Sequence, residues 1–377
     1  MSNSPTRPKF STSTEDPGLL WDEFCDALKL AGNVLRRPET PRDERTTAEG
    51  YRHLVRMIRA GFENTFELAD PSVPALTPMV GRMLQYEGIT SDARYLHSFI
   101  DGSATHRIRG QRGEAPLIEF GVYTGKMGID DPSHLIRSIT EESLEAEEDG
   151  SIEVVLSPDK QSGNWIKTDS ETRYVMVRQY APDWSGLVSG RFTITRDDTN
   201  PADQPPFGLD QIREGLERTA GFTIDNPRIW AGISDYWAHF AVNRFVPEVD
   251  ADALTDIAPP SGHQFNCGYF NLPEDRALVI SFTPGEAAFW SLGLTNYWYE
   301  TIGYGRAESH LNSGSAQAEA GDLIRVVVSH QRPSPSCPIP NWIDPKGHLE
   351  GTMVFRWSRP ESSMPEIECE QVAWSDL

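Results

Sequence analysis

Ile152-Glu-Val-Val-Leu-Ser157 with Asn164-Trp165-Ile166, and Ile324-Arg-Val-Val-Val-Ser329 with Asn341-Trp342-Ile343, are two versions of one passage. Each strand-like run leads through a loop to Asn-Trp-Ile and then to a second run. That second run is Arg173-Tyr-Val-Met-Val-Arg178 in the first version and Thr352-Met-Val-Phe-Arg356 in the second. The offset is 341 − 164 = 177. Upstream, Gly113-Glu114-Ala115 with Gly121 is echoed by Gly285-Glu286-Ala287 with Gly293, at 285 − 113 = 172. Two anchors at nearly one offset, joined by β-branched sequence, mark the internal duplication of a β unit.

Working outward, the chain divides into five parts. Residues 1–15 read as a disordered lead-in, and 16–90 as an N-terminal helical segment. Within it Leu19, Leu20, Phe24, Leu28 and Leu30, then Tyr51, Leu54, Val55, Ile58 and Phe62, fall at helical spacing, with Thr46 or Thr47 as cap. Residues 91–200 form the first β-rich repeat, with a short helix expected at Asp131–Thr140 and a solvated acidic loop from Glu141 to an Asp149-Gly150 turn. Residues 201–262 form a helical connector of two amphipathic stretches, Leu209 to Ala220 and Ile229 to Phe245, and 263–377 the second β-rich repeat. Without regular βαβ alternation the strands predict antiparallel sheets. The fold class is therefore mainly β with helical accessories (α+β): two duplicated antiparallel β-sandwich-like blocks plus N-terminal and connecting helices.

A formal charge of −22 and the lack of a Lys/Arg cluster argue against nucleic acid as partner. The same charge disfavours anionic membranes, and no apolar run is long enough to span one. The opening Met1-Ser-Asn-Ser-Pro-Thr-Arg-Pro8 has no signal-peptide core, and Cys25, Cys267, Cys337 and Cys369 show no paired spacing. A cytoplasmic protein is the expectation, with a small-molecule ligand as partner and a homo-oligomer as a further possibility.

Several segments carry a resemblance. Arg94-Tyr-Leu-His-Ser-Phe-Ile-Asp-Gly102, His106-Arg-Ile-Arg-Gly110, Asn296-Tyr-Trp298, Ser309-His-Leu-Asn312 and Ser329-His330 lead to Pro340-Asn-Trp-Ile-Asp344, Gly347-His348, Gly351 and Arg356-Trp357. Together they resemble a bacterial family known as domain of unknown function 1214, over most of residues 90 to 360. The resemblance implies a largely β architecture. The family carries no common reaction, so it supplies no mechanism. Ser91-Asp-Ala-Arg94 departs from the Asn-rich turn expected there.

Polar candidates concentrate in the second repeat, where side chains leaving strand ends can line a ligand cavity. His330 is the candidate for proton transfer, Tyr304 a donor or acid, and Asn296 an orienting amide, these three being the catalytic set. Arg306, Asn312, Trp298 and Asp344 are substrate-binding candidates, joined from the first repeat by Tyr95 and Arg109. Arg107 and Arg109 share a strand face opposite His106. The Asn-Trp pair present in both repeats is assigned to folding. The repeats differ where chemistry is expected: His330 stands against Pro158, Asp344 against Lys167, and Asn296 against Thr124.

His310, His330, Asp344 and His348 lack tight metal-ligand spacing, and no G-x-S-x-G elbow, dinucleotide fingerprint or Walker loop occurs. No cofactor or metal is expected. These features together suggest a cofactor-independent acid–base enzyme (lyase, dehydratase or isomerase) acting on a small hydrophobic or aromatic oxygenated metabolite. The alternatives are a hydrolase using activated water and a non-catalytic carbohydrate- or lipid-binding sandwich with Trp298 and Tyr299 as stacking platforms.

Overall fold

Among the described residues, both repeats fold into the same arrangement of nine strands. The computed structural model describes residues 8–13, 15–126, 128–130, 133–200, 208–247, 262–336 and 338–377. They fall into two compact units. One holds the residues up to Val80 with Ala93–Ile229; the other holds Gly81–Asp92 and the described residues from Trp230 onward.

In the first unit, helices α1 (Leu19–Ala31) and α2 (Glu44–Phe62) take up the expected periodic stretches. The α2 cap is Asp43, not a threonine: its carboxylate accepts from the Thr46 amide at 2.9 Å, satisfying an end donor that a hydroxyl inside the helix cannot reach. Of the expected lead-in, residues 1–7 and Thr14 lie outside the described residues. Phe10 is buried with Phe24, Ala27, Leu216 and Ala220, and its amide donates to Glu217 at 2.8 Å.

The first block comprises β1 (Thr77–Pro78), β2 (Ala93–Phe99), β3 (His106–Gly113), β4 (Leu117–Tyr123), β5 (Leu135–Thr140), β6 (Ser151–Ser157), β7 (Asn164–Lys167), β8 (Tyr174–Tyr180) and β9 (Ser189–Arg196). One sheet has the order β1-β2-β8-β4-β5 and the other β7-β6-β3-β9. Between them lie Ile108, Ile118, Phe120, Val122, Val154, Leu156, Val175 and Val177, so inward residues alternate along each strand as in a sandwich. The helix expected at Asp131–Thr140 is instead β5, paired antiparallel with β4, while 131 and 132 lie outside the described residues. Leu135-Ile136-Arg137-Ser138-Ile139-Thr140 is too short for its period to separate helix from strand, and pairing with β4 decides it.

After the first block comes a single helix, α3 (Leu209–Phe240), where two were expected. Pro227 lies inside it and lacks the amide for an i−4 bond, which explains why the apolar pattern reads as broken there.

The second block runs β10 (Phe245–Pro247), β11 (His263–Asn271), β12 (Arg276–Phe282), β13 (Ala287–Thr295), β14 (His310–Asn312), β15 (Ile324–Ser329), β16 (Trp342–Ile343), β17 (Glu350–Pro360) and β18 (Glu368–Ala373). Its sheets have the orders β10-β11-β17-β13-β14 and β16-β15-β12-β18, so each strand corresponds to the one nine places earlier. Its core holds Leu278, Ile280, Trp290, Leu292, Leu294, Val326, Phe355 and Trp357. The described residues thus form four sheets in two pairs, with three α-helices, N-terminal and connecting.

The Asn-Trp pairs perform one task twice. β6 and β7 pair in parallel with Val155 opposite Trp165, as β15 and β16 do with Val327 opposite Trp342. The Asn164 amide donates to the Glu145 and Glu153 carbonyls at 2.7 and 3.0 Å and accepts from the Glu145 amide at 2.8 Å. Asn341 repeats this with Gln317 and Arg325 at 2.7, 3.0 and 2.8 Å. Each indole N–H donates to the carbonyl at the end of the preceding strand, Ser157 or Ser329. These side chains supply the backbone partners that the loop before each short parallel strand needs.

Candidate active site

The sequence-derived candidates do not converge on one point. His330 follows β15 half-buried and is bonded through Nε2 to the Leu272 carbonyl at 3.0 Å. Asn296 is buried and accepts from the Trp298 and Glu300 amides at 3.1 and 3.0 Å, which shapes the turn after β13. Trp298 is fully buried and Tyr299 nearly so, which removes the exposed aromatic platform that a carbohydrate-binding reading required. Tyr304 is half-buried in the following loop, and Arg306 is exposed. Asp344 is half-buried against Lys346 Nζ at 2.9 Å. In the first block, Tyr95 sits half-buried edge-on to Tyr180, and Arg109 is exposed and ion-paired with Glu153 at 2.5 Å. Asn312 alone of the nine joins a cluster of ionisable groups on the outer face of a five-stranded sheet.

That cluster follows from strand register. Leu292, Leu294, Leu311, Met353 and Phe355 point into the core, so their neighbours face outward. Ser291 lies opposite both Asn312 and Arg356; Gly293 lies opposite both His310 and Val354. Onto this face comes the segment Gly81–Asp92. Asp92, buried, receives His310 Nε2 at 3.0 Å, Asn312 Nδ2 at 2.9 Å and Thr90 Oγ1 at 2.9 Å. Arg356 donates to the Gly88 carbonyl, and the Gly88 amide donates to the Tyr299 carbonyl at 3.0 Å. Tyr299 adopts a left-handed φ of 60° and stacks on Trp230 of α3 with ring centres 4.8 Å apart.

Burial disfavours the charged form of the His310 imidazole. The hydrogen bond and charge of Asp92, with the Arg306 carbonyl, outweigh both this and the opposing Arg356 charge. The result is an imidazole raised above its ordinary 6.5. Ser91 Oγ is 3.3 Å from Nδ1 and 3.4 Å from Nε2. A Ser-His-Asp relay aligns the serine with the nitrogen that the carboxylate leaves free; here Ser91 Oγ lies almost equally far from Nδ1 and from the Nε2 that Asp92 takes, so it is not aligned with either. Beside the pair the sheet is open: a Cβ built on Gly293 would meet only His310 Cβ, at 3.9 Å, and Gly293 is half-buried between buried neighbours.

The corresponding face of the first block is filled. Arg178 is opposite Glu119, and Tyr123 opposite Tyr174. The Arg178 guanidinium donates to the Tyr123 hydroxyl and lies 3.7 Å from the Glu119 carboxylate. Burial alone would lower the guanidinium, but the Tyr123 hydroxyl oxygen and the Glu119 carboxylate overcome it and hold it raised. His97 shares a 2.8 Å bond with the Tyr174 hydroxyl, and burial together with Lys126 lowers its imidazole well below the usual value. Above Gly121, the counterpart of Gly293, a Cβ would meet Leu135 at 3.0 Å and the Tyr123 ring at 3.1 Å.

Among the described residues no three His, Cys, Asp or Glu side chains converge as a metal site requires, and no helix is long and apolar enough to cross a membrane. Residues 97–184, from within β2 to just beyond β8, match the family model described as protein of unknown function, DUF1214. The chain carries a DUF1214 domain. The matched residues lie within the first block and include the Glu119–Arg178 pair; the second block repeats the topology of the first. The crystal structure of an uncharacterized protein from Burkholderia cenocepacia is similar over 96% of this chain and 98% of its own, with 28% identity and a TM-score of 0.89. A Vibrio parahaemolyticus protein aligns over 91% of this chain and all of its own length, at 11% identity and a TM-score of 0.48. No curated protein matches the chain.

Asp92, Arg356 and Ser291 were not among the sequence-derived candidates. One signal did point to this face: Gly121 and Gly293, part of the repeat itself, mark corresponding places on the two sheets.

Proposed function

We propose that the protein is a cofactor-independent acid–base enzyme of the lyase, dehydratase or isomerase type. Its substrate is a small hydrophobic or aromatic oxygenated metabolite, and His310 is the group that moves protons. The observation that carries this reading is a raised imidazole, fixed by a buried carboxylate at 3.0 Å, beside the open floor at Gly293. An imidazole raised above its ordinary 6.5 holds its proton more firmly yet can still give it up and take it back. In a dehydration it takes the proton from carbon and gives it to the departing hydroxyl, which leaves as water as the C=C bond forms. As an isomerase base it takes a proton from carbon and returns it elsewhere on the same molecule. Asp92 orients the ring and stabilises the imidazolium, and Asn312 holds Asp92. The free thiols of Cys25, Cys267 and Cys369 fit the cytoplasm as its place of action.

The test is a turnover screen by NMR with pooled hydroxy acids, oxo acids and aromatic alcohols. His310→Gln is expected to abolish any conversion found while leaving the melting temperature within a few degrees. Undiminished conversion by that variant would overturn the assignment.

A further inference from the structure

Two corresponding arginines sit in unlike surroundings. Arg178 and Arg356 occupy the same position in β8 and β17, since Met176 opposes Gly121 and Val354 opposes Gly293, two residues before each arginine. Across from Arg178 stands Glu119, which supplies the carboxylate; across from Arg356 stands Ser291, which does not. Tyr123, whose hydroxyl meets Arg178 and whose ring covers Gly121, is replaced by Thr295. The second face therefore lacks one carboxylate and one aromatic ring that the first supplies from its own chain.

The groups left behind agree with that subtraction. Arg356 bonds the Gly88 carbonyl, and among the described residues no carboxylate lies within ion-pair distance of it. Ser291 is 1% exposed, and its hydroxyl has no hydrogen-bond partner; the Thr295 hydroxyl, also buried, has none either. Buried hydroxyls left unsatisfied cost free energy and are uncommon. Asp92 is already engaged by His310, Asn312 and Thr90. The His310–Asp92 pair is neutral when protonated, and Arg356 adds a positive charge beside it.

We infer that the crevice over Gly293 receives the carboxylate of a small aromatic or unsaturated acid, bound by Arg356 and Ser291 where the first block places Glu119. The planar body lies over Gly293, where the first block places the Tyr123 ring, and next to His310. This deepens the acid–base reading by naming the substrate class, and rests on it for the location of the crevice. Arg356 and Ser291 are binding residues here. A guanidinium and a hydroxyl match the acceptor pattern of a carboxylate and discriminate against the neutral amide of the same shape.

Binding and turnover separate the two ideas experimentally. Calorimetric titration of the full chain uses benzoate, cinnamate and phenylacetate, each against its amide. At least one acid is expected to bind saturably, with its amide at least tenfold weaker. Arg356→Gln is expected to weaken the acid about tenfold to a hundredfold, the range for one charged hydrogen-bonding partner. Ser291→Glu is expected to abolish binding while keeping or raising the melting temperature, because it restores the internal pair of the first block. His310→Gln is expected to keep binding within a few-fold. Absence of binding by all three acids, equal binding of acid and amide, or full binding by a folded Ser291→Glu protein would overturn the inference. Loss of turnover in His310→Gln tests the acid–base reading independently of these outcomes.

Discussion

Replacing Asp92 by Asn removes one charge from the His310 site at almost constant shape. The wild-type carboxylate is 2% exposed and accepts bonds from His310, Asn312 and Thr90 at 3.0, 2.9 and 2.9 Å. Asp92 supplies the main influences that raise the His310 imidazole; burial and Arg356, which lower it, remain in the variant. The imidazole is therefore expected to move from above to below its ordinary 6.5. Breaking a fully buried pair costs roughly 3–5 kcal/mol. The His310 side chain keeps 18% of its exposure and can shed its proton, so about 1–3 kcal/mol is expected at pH 6. The sign follows from the raised folded-state value. The stabilisation is fully present below the unfolded imidazole's 6.5 and is lost as pH rises through the folded value. Urea denaturation of wild type and Asp92→Asn from pH 5.5 to 9 should show a gap that is widest at the acidic end, and NMR titration of His310 should show the downward move. A constant gap, together with an unmoved His310 titration, would refute the ion-pair account.

Other substitutions test the duplication and the crevice. Asn341→Ala removes three hydrogen bonds at a site 1% exposed and should cost about 2–3 kcal/mol by denaturant melting; Asn164→Ala, where water can reach the freed groups, should cost about 1–2 kcal/mol. Gly293→Ala has room for its methyl and should leave the melting temperature nearly unchanged while reducing any ligand binding. Gly121→Ala meets Leu135 and Tyr123 at 3.0–3.1 Å and should destabilise measurably. His330→Ala loses one bond to the Leu272 carbonyl and should cost about 0.5–1.5 kcal/mol in a thermal melt.

The duplication was legible because it lies in residues that make backbone contacts. Asn164 and Asn341 bond carbonyls and an amide at corresponding places, so the fold itself requires their spacing. β5 and the continuity of α3 were not legible: the first is a six-residue run settled by pairing with β4, and the second crosses a proline. The acid–base candidates fared worse, for a physical reason. A histidine at a strand end looks the same in sequence whether it meets a carbonyl, as His330 does, or a buried carboxylate, as His310 does. Asp92 lies 218 positions before His310, and nothing local to either predicts that they touch.

One duplicated fold can hold an inert face and a receptive one because the arginine at the centre of each face sets the same demand. A guanidinium taken out of water needs acceptors, fully so for the buried Arg178 and in part for the half-buried Arg356, and its partner strand must supply charge or leave the requirement open. In the first block Glu119 and Tyr123 meet it, at the cost of closing the floor above Gly121. In the second block Ser291 and Thr295 are too short to reach into that space, and the Gly88 carbonyl is the acceptor Arg356 obtains. A carbonyl dipole balances less of a guanidinium charge than a carboxylate does, so the second face retains electrostatic demand beside a titrating imidazole. Shortening the residues opposite Arg356 thus does two things together: it opens space over the sheet and leaves a charge for an incoming acid to neutralise.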